Sequence, residues 1–332
     1  MKSRVSVSAY QLGIKDNDIA AVRGLIEKEK DTEFLLERRA RNVAPPAPEF
    51  SRERFWFVLV GCLLTTQQRS TKGSPVNRFL DANPFQLALD DCNKHASVEQ
   101  FVLKTIRDFG AIRRGITIAG QAAENWRRLN LGGWKEVEEW FARLKQQRSR
   151  VPQKEDRILE REAAHWADAR LAGFGPKQSR NLWQWLGLTR YETPLDSRVT
   201  QWVNHNLTIK IDAKRLDRLD KYEAALDCIQ IICERAGVLP CELDAAAFDY
   251  EDAGRASKAE RNTTRPGFVN PNGQITIRNT KTPGTDKNQY VYQLTCSHCG
   301  HTYGANGSDI HERKCPKCQR GREGLEITYV AD

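Results

Sequence analysis

Apolar residues recur every three to four positions through most of the chain up to residue 235, the spacing that forms one apolar face on an α-helix. The charged stretch 16–43 predicts a first amphipathic helix, which Pro45, Pro46 and Pro48 end. Ser51 is placed to cap a second helix. The further helices predicted from this spacing cover 98–109, 111–129, 134–145, 157–171, 177–186, a helix that begins at Asp196, and 216–235.

The most apolar segment is 55–64, which has no polar face and therefore predicts a helix buried in the core. A membrane-spanning helix needs about 20 apolar residues, so this run is too short to cross a bilayer. Two later helices have apolar faces that we expect to pack in the core. Those faces carry Ile158, Leu159, Trp166 and Leu171 in one helix, and Leu219, Tyr222, Leu226, Ile229 and Cys233 in the other.

The pattern changes after residue 250. Residues 253–273 are rich in Arg, Asn, Thr, Gly and Pro, a composition typical of a linker. Short strands are predicted over 274–277, 290–294 and 327–330, and none before residue 270. The predicted fold class is therefore mainly α, with a helical domain followed by a small β domain. The predicted boundaries are 1–48 for an N-terminal helical segment, 49–250 for the helical domain, 251–285 for the linker and 286–332 for the β domain.

Composition narrows the function only slightly. The 332 residues are enough for about two domains, and 39% apolar with 29% charged residues predicts a soluble globular protein. A net charge of +9 favours a polyanion such as nucleic acid as partner. The N-terminal residues contain no apolar stretch of secretory type, so we expect a cytoplasmic protein with no membrane contact.

Four of the nine cysteines have metal-ligand spacing. Cys296 and Cys299 form one Cys-x-x-Cys pair, and Cys315 and Cys318 form another, fifteen residues further on. This spacing predicts a zinc ribbon, in which all four ligands come from the protein, so that zinc has a structural role. The alternatives are a redox pair or unrelated thiols, and a nearby histidine (His298, His301 or His311) can replace one sulfur.

Three other cysteines raise the question of an iron–sulfur cluster. Cys228, Cys233 and Cys241 are one ligand short of such a cluster, and their spacing fits no cluster motif. We therefore expect them to pack between helices, with no iron–sulfur cluster in the protein.

A glycine turn carries the most informative chemistry in the chain. Gly173 and Gly175 form a tight turn between two predicted helices, and Lys177 opens the second of them. Backbone N–H groups around Gly175 can bind one phosphate at the helix start without reading sequence. Asp196 follows nineteen positions after Lys177, where the next helix begins. An amine and a carboxylate beside a bound phosphate can attack the sugar of a nucleotide.

These residues resemble a known family. The segment 171–180, with 194–199 downstream, is similar to the helix-hairpin-helix DNA glycosylases of the endonuclease III and 8-oxoguanine glycosylase superfamily. Residues 63–68 resemble the early helix and its glutamine segment, and 106–119 loosely resemble a second loop. The resemblance covers about residues 50–250. It departs from the branch with a C-terminal iron–sulfur loop, because this chain has a zinc ribbon there.

The resemblance implies a mechanism on double-stranded DNA. A glycosylase flips a nucleotide out of the duplex into a pocket. Gln67 and Gln68 would fill the gap that remains, and Gln178 would contact DNA with the hairpin. Asp196 would stabilise positive charge on the sugar. Lys177 would attack C1′, expel the base and form a Schiff base that permits strand cleavage.

Each of these residues also has a simpler interpretation. Asp196 can be a helix cap, Lys177 a phosphate ligand, and Gln67 and Gln68 can cap a helix end. We expect a DNA glycosylase, with AP-lyase activity, that acts in DNA repair or in defence against modified phage DNA. The alternatives are a glycosylase without lyase activity and a non-catalytic DNA-binding protein that uses the hairpin and the ribbon.

Overall fold

The chain divides into two compact units, Met1–Glu251 and Asp252–Asp332. The first unit is helical, and the second contains a small antiparallel sheet and a cluster of four cysteines. The computed structural model describes residues 13–68, 70, 73–260, 263–285, 290–307 and 309–327, with the backbone alone at 252–260.

Helices account for most of the first unit. Short π-helical turns follow the second helix at Arg39–Val43 and the seventh at Leu129–Gly133. In the described part of the chain, none of the helices has the length and apolarity needed to cross a membrane. The helices are α1 Asp16–Glu29, α2 Glu33–Arg38, α3 Arg52–Leu64, α4 Pro75–Leu80, α5 Leu89–Asn93, α6 Val98–Phe109, α7 Gly115–Arg128, α8 Trp134–Arg148, α9 Asp156–Arg170, α10 Pro176–Trp185, α11 Ser197–Asn206, α12 Leu219–Ala236 and α13 Pro240–Glu260.

The local signals of helix α3 are confirmed. The Ser51 hydroxyl accepts a hydrogen bond from the N–H of Arg54 at 3.2 Å, so Ser51 is the cap that the sequence predicted. Almost every residue from 55 to 64 is buried, as expected for a helix without a polar face. The helix predicted over 98–109 is also confirmed, with the same bounds in α6.

One predicted helix and one predicted linker boundary were wrong. The stretch 16–43 is not one helix, because Thr32 has an extended backbone and its hydroxyl donates to the Glu29 carbonyl, which ends α1 before α2 begins. The predicted linker does not start at 251, because α13 continues to Glu260. Alanine has the highest helix propensity, and Ala245, Ala246 and Ala247 are all fully buried in α13.

Two residues expected in the core are exposed instead. Ile158 is 60% exposed because α9 buries the face that carries Glu160, Ala163 and Ala167. Leu219 is 36% exposed at the first position of α12, where the buried face begins only at Tyr222. Apolar spacing alone did not identify which edge of each face turns toward solvent.

The first unit contains two apolar clusters. The first cluster is formed by α3 to α10, between Phe55 and Leu188. The second cluster combines α1 and α2 with α11, α12 and α13. The Arg23 side chain, for example, donates to the Ala236 carbonyl at 3.0 Å. Residues 16–43 are therefore part of this unit and not the separate N-terminal segment that was predicted.

The second unit is built on one sheet in the order β1-β2-β3, all antiparallel. Strands β1 (Gln274–Pro283) and β2 (Tyr290–Cys296) extend two of the predicted strands. Because β1 pairs with β2, the prediction that 251–285 is a linker is also wrong at 274–283. Strand β3 (Thr302–Asn306) was not predicted, and the strand predicted at 327–330 lies outside the described residues except for Ile327, which is in no strand.

Candidate active site and metal centre

The glycine turn joins α9 to α10, and Gly173 is favoured there by its backbone conformation. Its φ of +82° lies in the left-handed region, and a Cβ atom at this position would displace the end of the Gln121 side chain, 2.4 Å away. Gly175 has an extended backbone, and a Cβ built on it would find nothing within 4 Å. Gly175 therefore leaves the surface open beside the helix start, while Gly173 makes the turn itself possible.

The start of α10 has unused hydrogen-bond donors. Pro176 lies at the first helical position and has no N–H group. No side chain caps the helix, and no backbone carbonyl of the described residues accepts the N–H of Lys177 or Gln178. Such N–H groups, together with the helix dipole, favour an anion at this end.

Asn125, on α7, holds the glycine turn in place. Its side-chain nitrogen donates to the Ala172 carbonyl at 2.9 Å, and its oxygen accepts from the Ala172 N–H at 2.7 Å. Asn125 is fully buried, so this pair of hydrogen bonds is shielded from water. Sequence reasoning missed this residue, because a single polar position within an amphipathic helix gives no signal of its partner.

Lys177 is half-buried and forms no ion pair within the part of the chain that the structure describes. Its positive charge acts on two buried acids. Burial raises the pKa of the Cys62 thiol to about 12, and Lys177 opposes that rise. Burial also raises the pKa of the Asp244 carboxyl, while Arg38 and, more weakly, Lys177 lower it.

Asp196 caps α11, as one of the two interpretations of this residue predicted. Its Oδ1 accepts hydrogen bonds from the N–H groups of Arg198 at 2.8 Å and Val199 at 3.0 Å. Its Oδ2 lies 3.2 Å from Nη1 of Arg198. The carboxylate is 17% exposed, so a ligand can still reach it.

The side chain of Tyr222 fixes the segment directly before Asp196. The Tyr222 hydroxyl accepts from the Leu195 N–H at 2.6 Å and donates to the Thr193 carbonyl at 3.1 Å. Tyr222 is itself fully buried on α12. Two hydrogen bonds to one buried hydroxyl fix the chain directly before the carboxylate.

Asp244 is a buried carboxyl on α13 that the two predicted catalytic residues affect in opposite directions. Burial raises its pKa, the negative charge of Asp196 raises it further, and the positive charge of Lys177 lowers it. Lys177 lies on a helix of the first cluster, whereas Asp196 caps a helix of the second cluster. Asp244 was missed because it lies on α13, which the sequence did not predict.

Gln67 and Gln68 lie in the turn after α3 and contact the loop before α7. The side-chain amide of Gln68 exchanges two hydrogen bonds with the backbone of Arg113, at 3.0 and 3.3 Å. The Arg113 guanidinium donates to the Gln67 carbonyl at 2.7 Å. Gln67 is exposed and has a left-handed φ of 56°. Gln68 is thus used to join two loops, and Gln67 is the residue whose side chain faces solvent.

Gln178 does not have the placement that was expected of a DNA-binding side chain. It is buried, and its nitrogen donates to the Cys62 carbonyl and the Thr66 hydroxyl, both at 2.7 Å. Its oxygen accepts from Asn181 at 3.1 Å. The side chain therefore joins α10 to α3, and no carbonyl of the described residues accepts the backbone N–H of Gln178.

The four predicted metal ligands come together in the second unit. All four sulfur atoms of Cys296, Cys299, Cys315 and Cys318 lie within 4.8 Å of one another. Cys296 and Cys318 are 3.6 Å apart, as are Cys299 and Cys315. A tetrahedral site with Zn–S bonds of about 2.3 Å requires sulfur atoms about 3.8 Å apart. The group is thus compatible with zinc, and no histidine belongs to it among the described residues.

Neighbouring groups support the thiolates. Burial acts to raise the pKa of Cys296, but hydrogen bonds from the N–H groups of His298 and Cys299 lower it to about 6. The buried Gln274 side chain also donates to the Cys296 sulfur at 3.7 Å and to the Gln319 side chain at 2.9 Å. Donors around a thiolate stabilise its charge and orient it toward a metal.

The remaining cysteines do not form a second group of this kind in the described residues. Cys228, Cys233 and Cys241 are buried, and the first two pack in the second apolar cluster. Burial raises the pKa of the Cys241 thiol to about 12, which suits a packing role.

No protein family, curated protein or solved structure matches this chain.

Proposed function

We propose that this protein is a DNA glycosylase with AP-lyase activity that removes a modified or damaged base from a flipped nucleotide. The observations that support the proposal are the open helix start at Lys177 and the partly exposed carboxylate of Asp196. A protein that only binds DNA has no need for both an amine and a carboxylate of this kind.

The helix start supports DNA as the ligand. The N–H groups of Lys177 and Gln178 point out of α10 without a protein partner among the described residues, and Gly175 leaves space for a phosphate to approach them. Such contacts hold the DNA backbone but carry no sequence information. The net charge of +9 adds a favourable long-range attraction.

The chemistry follows from the amine and the carboxylate. The Lys177 amine, once neutral, attacks C1′ of the flipped nucleotide, and the bond between C1′ and the base breaks with its electron pair leaving on the base. Asp196 stabilises the positive charge that develops on the sugar during this step. The covalent amine then rearranges to a Schiff base by opening the sugar ring. Loss of a proton from C2′ expels the 3′ phosphate and cleaves the strand.

We further propose that the four-cysteine group holds zinc in a structural role. All four positions of a tetrahedral site are filled by sulfur, which leaves no open position for water or substrate. Zinc would therefore stabilise the second unit and take no part in base removal.

Replacement of Asp196 tests the proposed chemistry. Asp196→Asn keeps a side-chain oxygen that can cap α11 but removes the charge, so we expect base excision to be abolished while DNA affinity stays within a few-fold. Asp212→Asn is the matched control, because Asp212 also caps a helical turn, through the N–H of Lys214, but is exposed elsewhere. Excision by Asp196→Asn at the wild-type rate would show that Asp196 is only a cap.

Replacement of Lys177 tests the covalent step. Borohydride trapping on duplexes with oxidised guanine, oxidised or mismatched pyrimidines and modified cytosines surveys substrates and detects the Schiff base together. We expect Lys177→Gln to abolish the trapped complex and strand cleavage. Lys135→Gln is the control, since Lys135 also occupies the second position of a helix, α8, but is exposed.

The outcomes separate the alternatives. Base excision by the wild type without any trapped complex would identify a glycosylase that uses water, with Lys177 as a phosphate ligand. Salt-sensitive DNA binding with no excision on any substrate would favour the non-catalytic protein. A trapped complex that persists in Lys177→Gln would place the nucleophile elsewhere.

A further inference from the structure

Arg198 connects the Asp196 carboxylate to an aromatic ring on α13. Its Nη1 lies 3.2 Å from Oδ2 of Asp196, and its Cζ lies 4.0 Å from the centre of the Phe248 ring. The Arg198 side chain is 9% exposed, so both contacts are largely shielded from water. A guanidinium over an aromatic face is attracted to it, and more strongly when desolvated.

Phe248 belongs to a column in which two adjacent rings lie between two cations. The Phe34 ring lies 4.7 Å from the Phe248 ring between centroids, with 32° between their planes. The Cζ of Arg38 lies 5.2 Å from the centre of the Phe34 ring. Arg38 in turn forms an ion pair with the buried Asp244. The order Arg198, Phe248, Phe34, Arg38 thus begins at Asp196 and ends at Asp244.

Other contacts fix α13 independently of Arg198. The Lys28 amine lies 4.4 Å from the centre of the Tyr250 ring, and the Arg39 side chain contacts Glu242 at 2.7 Å. These contacts join α13 to the N-terminal helices at two points along its length. The Phe248 ring is therefore a support whose position does not depend on the group that it carries.

The two oxygens of Asp196 are held differently. Oδ1 accepts both backbone N–H groups of the helix cap, whereas Oδ2 accepts the Arg198 guanidinium. The backbone thus fixes one oxygen, and a long side chain fixes the direction of the other. A long side chain that packs against a ring occupies fewer rotamers, and this gives Oδ2 a defined direction.

We propose that Arg198, held on Phe248, is a positioning residue that orients the Asp196 carboxylate for catalysis. This inference rests on the proposed glycosylase function. Asp196 is the group that meets the sugar, and Arg198 acts only through it. The rings that support Arg198 belong to Phe34 on α2 and Phe248 on α13. Both lie outside the hairpin and outside the short segments that carry the glycosylase resemblance.

The test changes the ring and leaves Asp196 and Arg198 in place. Phe248→Leu keeps an apolar side chain but removes the aromatic face, so we expect the single-turnover excision rate at saturating protein to fall by about tenfold. DNA affinity should stay within twofold, because no phosphate contact changes. Phe248→Tyr restores the aromatic face and should restore the rate to within about twofold of wild type.

Trp140→Leu is the matched control, since Arg143 lies 4.2 Å above the Trp140 ring at a position remote from Asp196 in sequence and on another helix. It should change thermal stability without changing the excision rate. A Phe248→Leu protein as active as wild type, or a Phe248→Tyr protein as slow as Phe248→Leu, would overturn the inference while leaving the glycosylase function intact.

A second measurement needs no substrate. The measurement is the loss in melting temperature that Asp196→Asn causes, in the wild type and in Phe248→Leu. If Phe248 acts on Asp196 through Arg198, this loss should be about 2 °C smaller in Phe248→Leu. Additive losses would overturn the inference whatever the activity. Coupled losses in a protein that excises no base would instead uphold the placement of Asp196 by Arg198 and reject the proposed function.

Discussion

The two units of this chain are stabilised by different means. The helical unit has an apolar cluster that runs from Phe55 to Leu188 and a second cluster beside it. In the described part of the sheet unit, the buried apolar cluster is small and consists of Leu294, Tyr303, Ala305 and Ile310. So small a cluster contributes little stability, and we expect a bound metal to supply much of the stability of this unit, whose thiols are free.

The two units also differ in the polar groups that they bury. In the helical unit the side chains of Arg180 and Glu192 are fully buried and lie 2.7 Å apart. Removing such charges from water costs several kcal/mol per ion, and the attraction and hydrogen bonds between the two side chains offset that cost. In the sheet unit the buried Gln274 side chain donates to the Cys296 sulfur. The helical unit thus buries a charged pair, whereas the sheet unit places a neutral donor beside four cysteines that could bind a metal.

Loss of the metal ligands should have the largest effect. In Cys315→Ser with Cys318→Ser we expect complete unfolding of the sheet unit, because structural zinc supplies about 10–16 kcal/mol of apparent binding free energy. The melting of the helical unit should not change. Metal analysis should find one zinc per wild-type chain and none in the variant, and NMR signals of residues 263–327 should collapse.

A chelator provides the control on the wild-type protein. Four of the nine thiols should then react with a thiol reagent at pH 8, and all nine should react in denaturant. Burial raises the pKa of Cys62 and Cys92 to about 12, so at pH 8 these two remain protonated as well as inaccessible. A sheet unit with unchanged signals after complete metal removal would refute the comparison.

A large-to-small change in the helical core should have the next largest effect. Leu182 is fully buried on α10 in the first cluster, so we expect Leu182→Ala to cost about 2–5 kcal/mol of unfolding free energy. Denaturant unfolding of the helical unit measures this cost. Leu36→Ala, at a site 49% exposed, should stay within about 0.5 kcal/mol. Equal losses in both variants would mean that this cluster does not dominate stability.

A change beside the thiolates should have the smallest effect. Gln274→Ala removes a donor to the Cys296 sulfur, and we expect zinc affinity to fall by about 10–100-fold, measured by competition with a coloured chelator. Ile277→Ala, on the same strand but 38% exposed, should leave affinity unchanged. If both variants bind zinc equally well, Gln274 supports the sheet and not the metal.

Features that depend on neighbouring residues could be predicted from the sequence. The Ser51 cap, the left-handed turn at Gly173 and the two Cys-x-x-Cys pairs each follow from a few adjacent positions. The Asp196 cap belongs to the same class. Each of these features obtains its hydrogen bonds or its geometry within the segment that specifies it.

Features that depend on distant partners could not be predicted. The ion pair of Arg38 with Asp244 joins residues 206 positions apart, and the ring of Phe248 meets Phe34 at a similar separation. The buried side chain of Gln178 shows the converse error, because a position in a motif does not reveal which side of the helix faces the core. The parts of the candidate site that orient Asp196 belong to this second class.

The arrangement of the two apolar clusters has a consequence for synthesis. The first cluster is continuous in sequence, whereas the second joins the N-terminal helices to α12 and α13, as in the contact of Arg23 with Ala236 across 213 positions. On the ribosome, the residues that complete the second cluster emerge about 60 positions after the first cluster is complete, which takes about 3–12 s. During that interval the set of residues against which α1 and α2 pack is incomplete. The hairpin with Lys177 can therefore fold before the helix that supports Asp196 has been made.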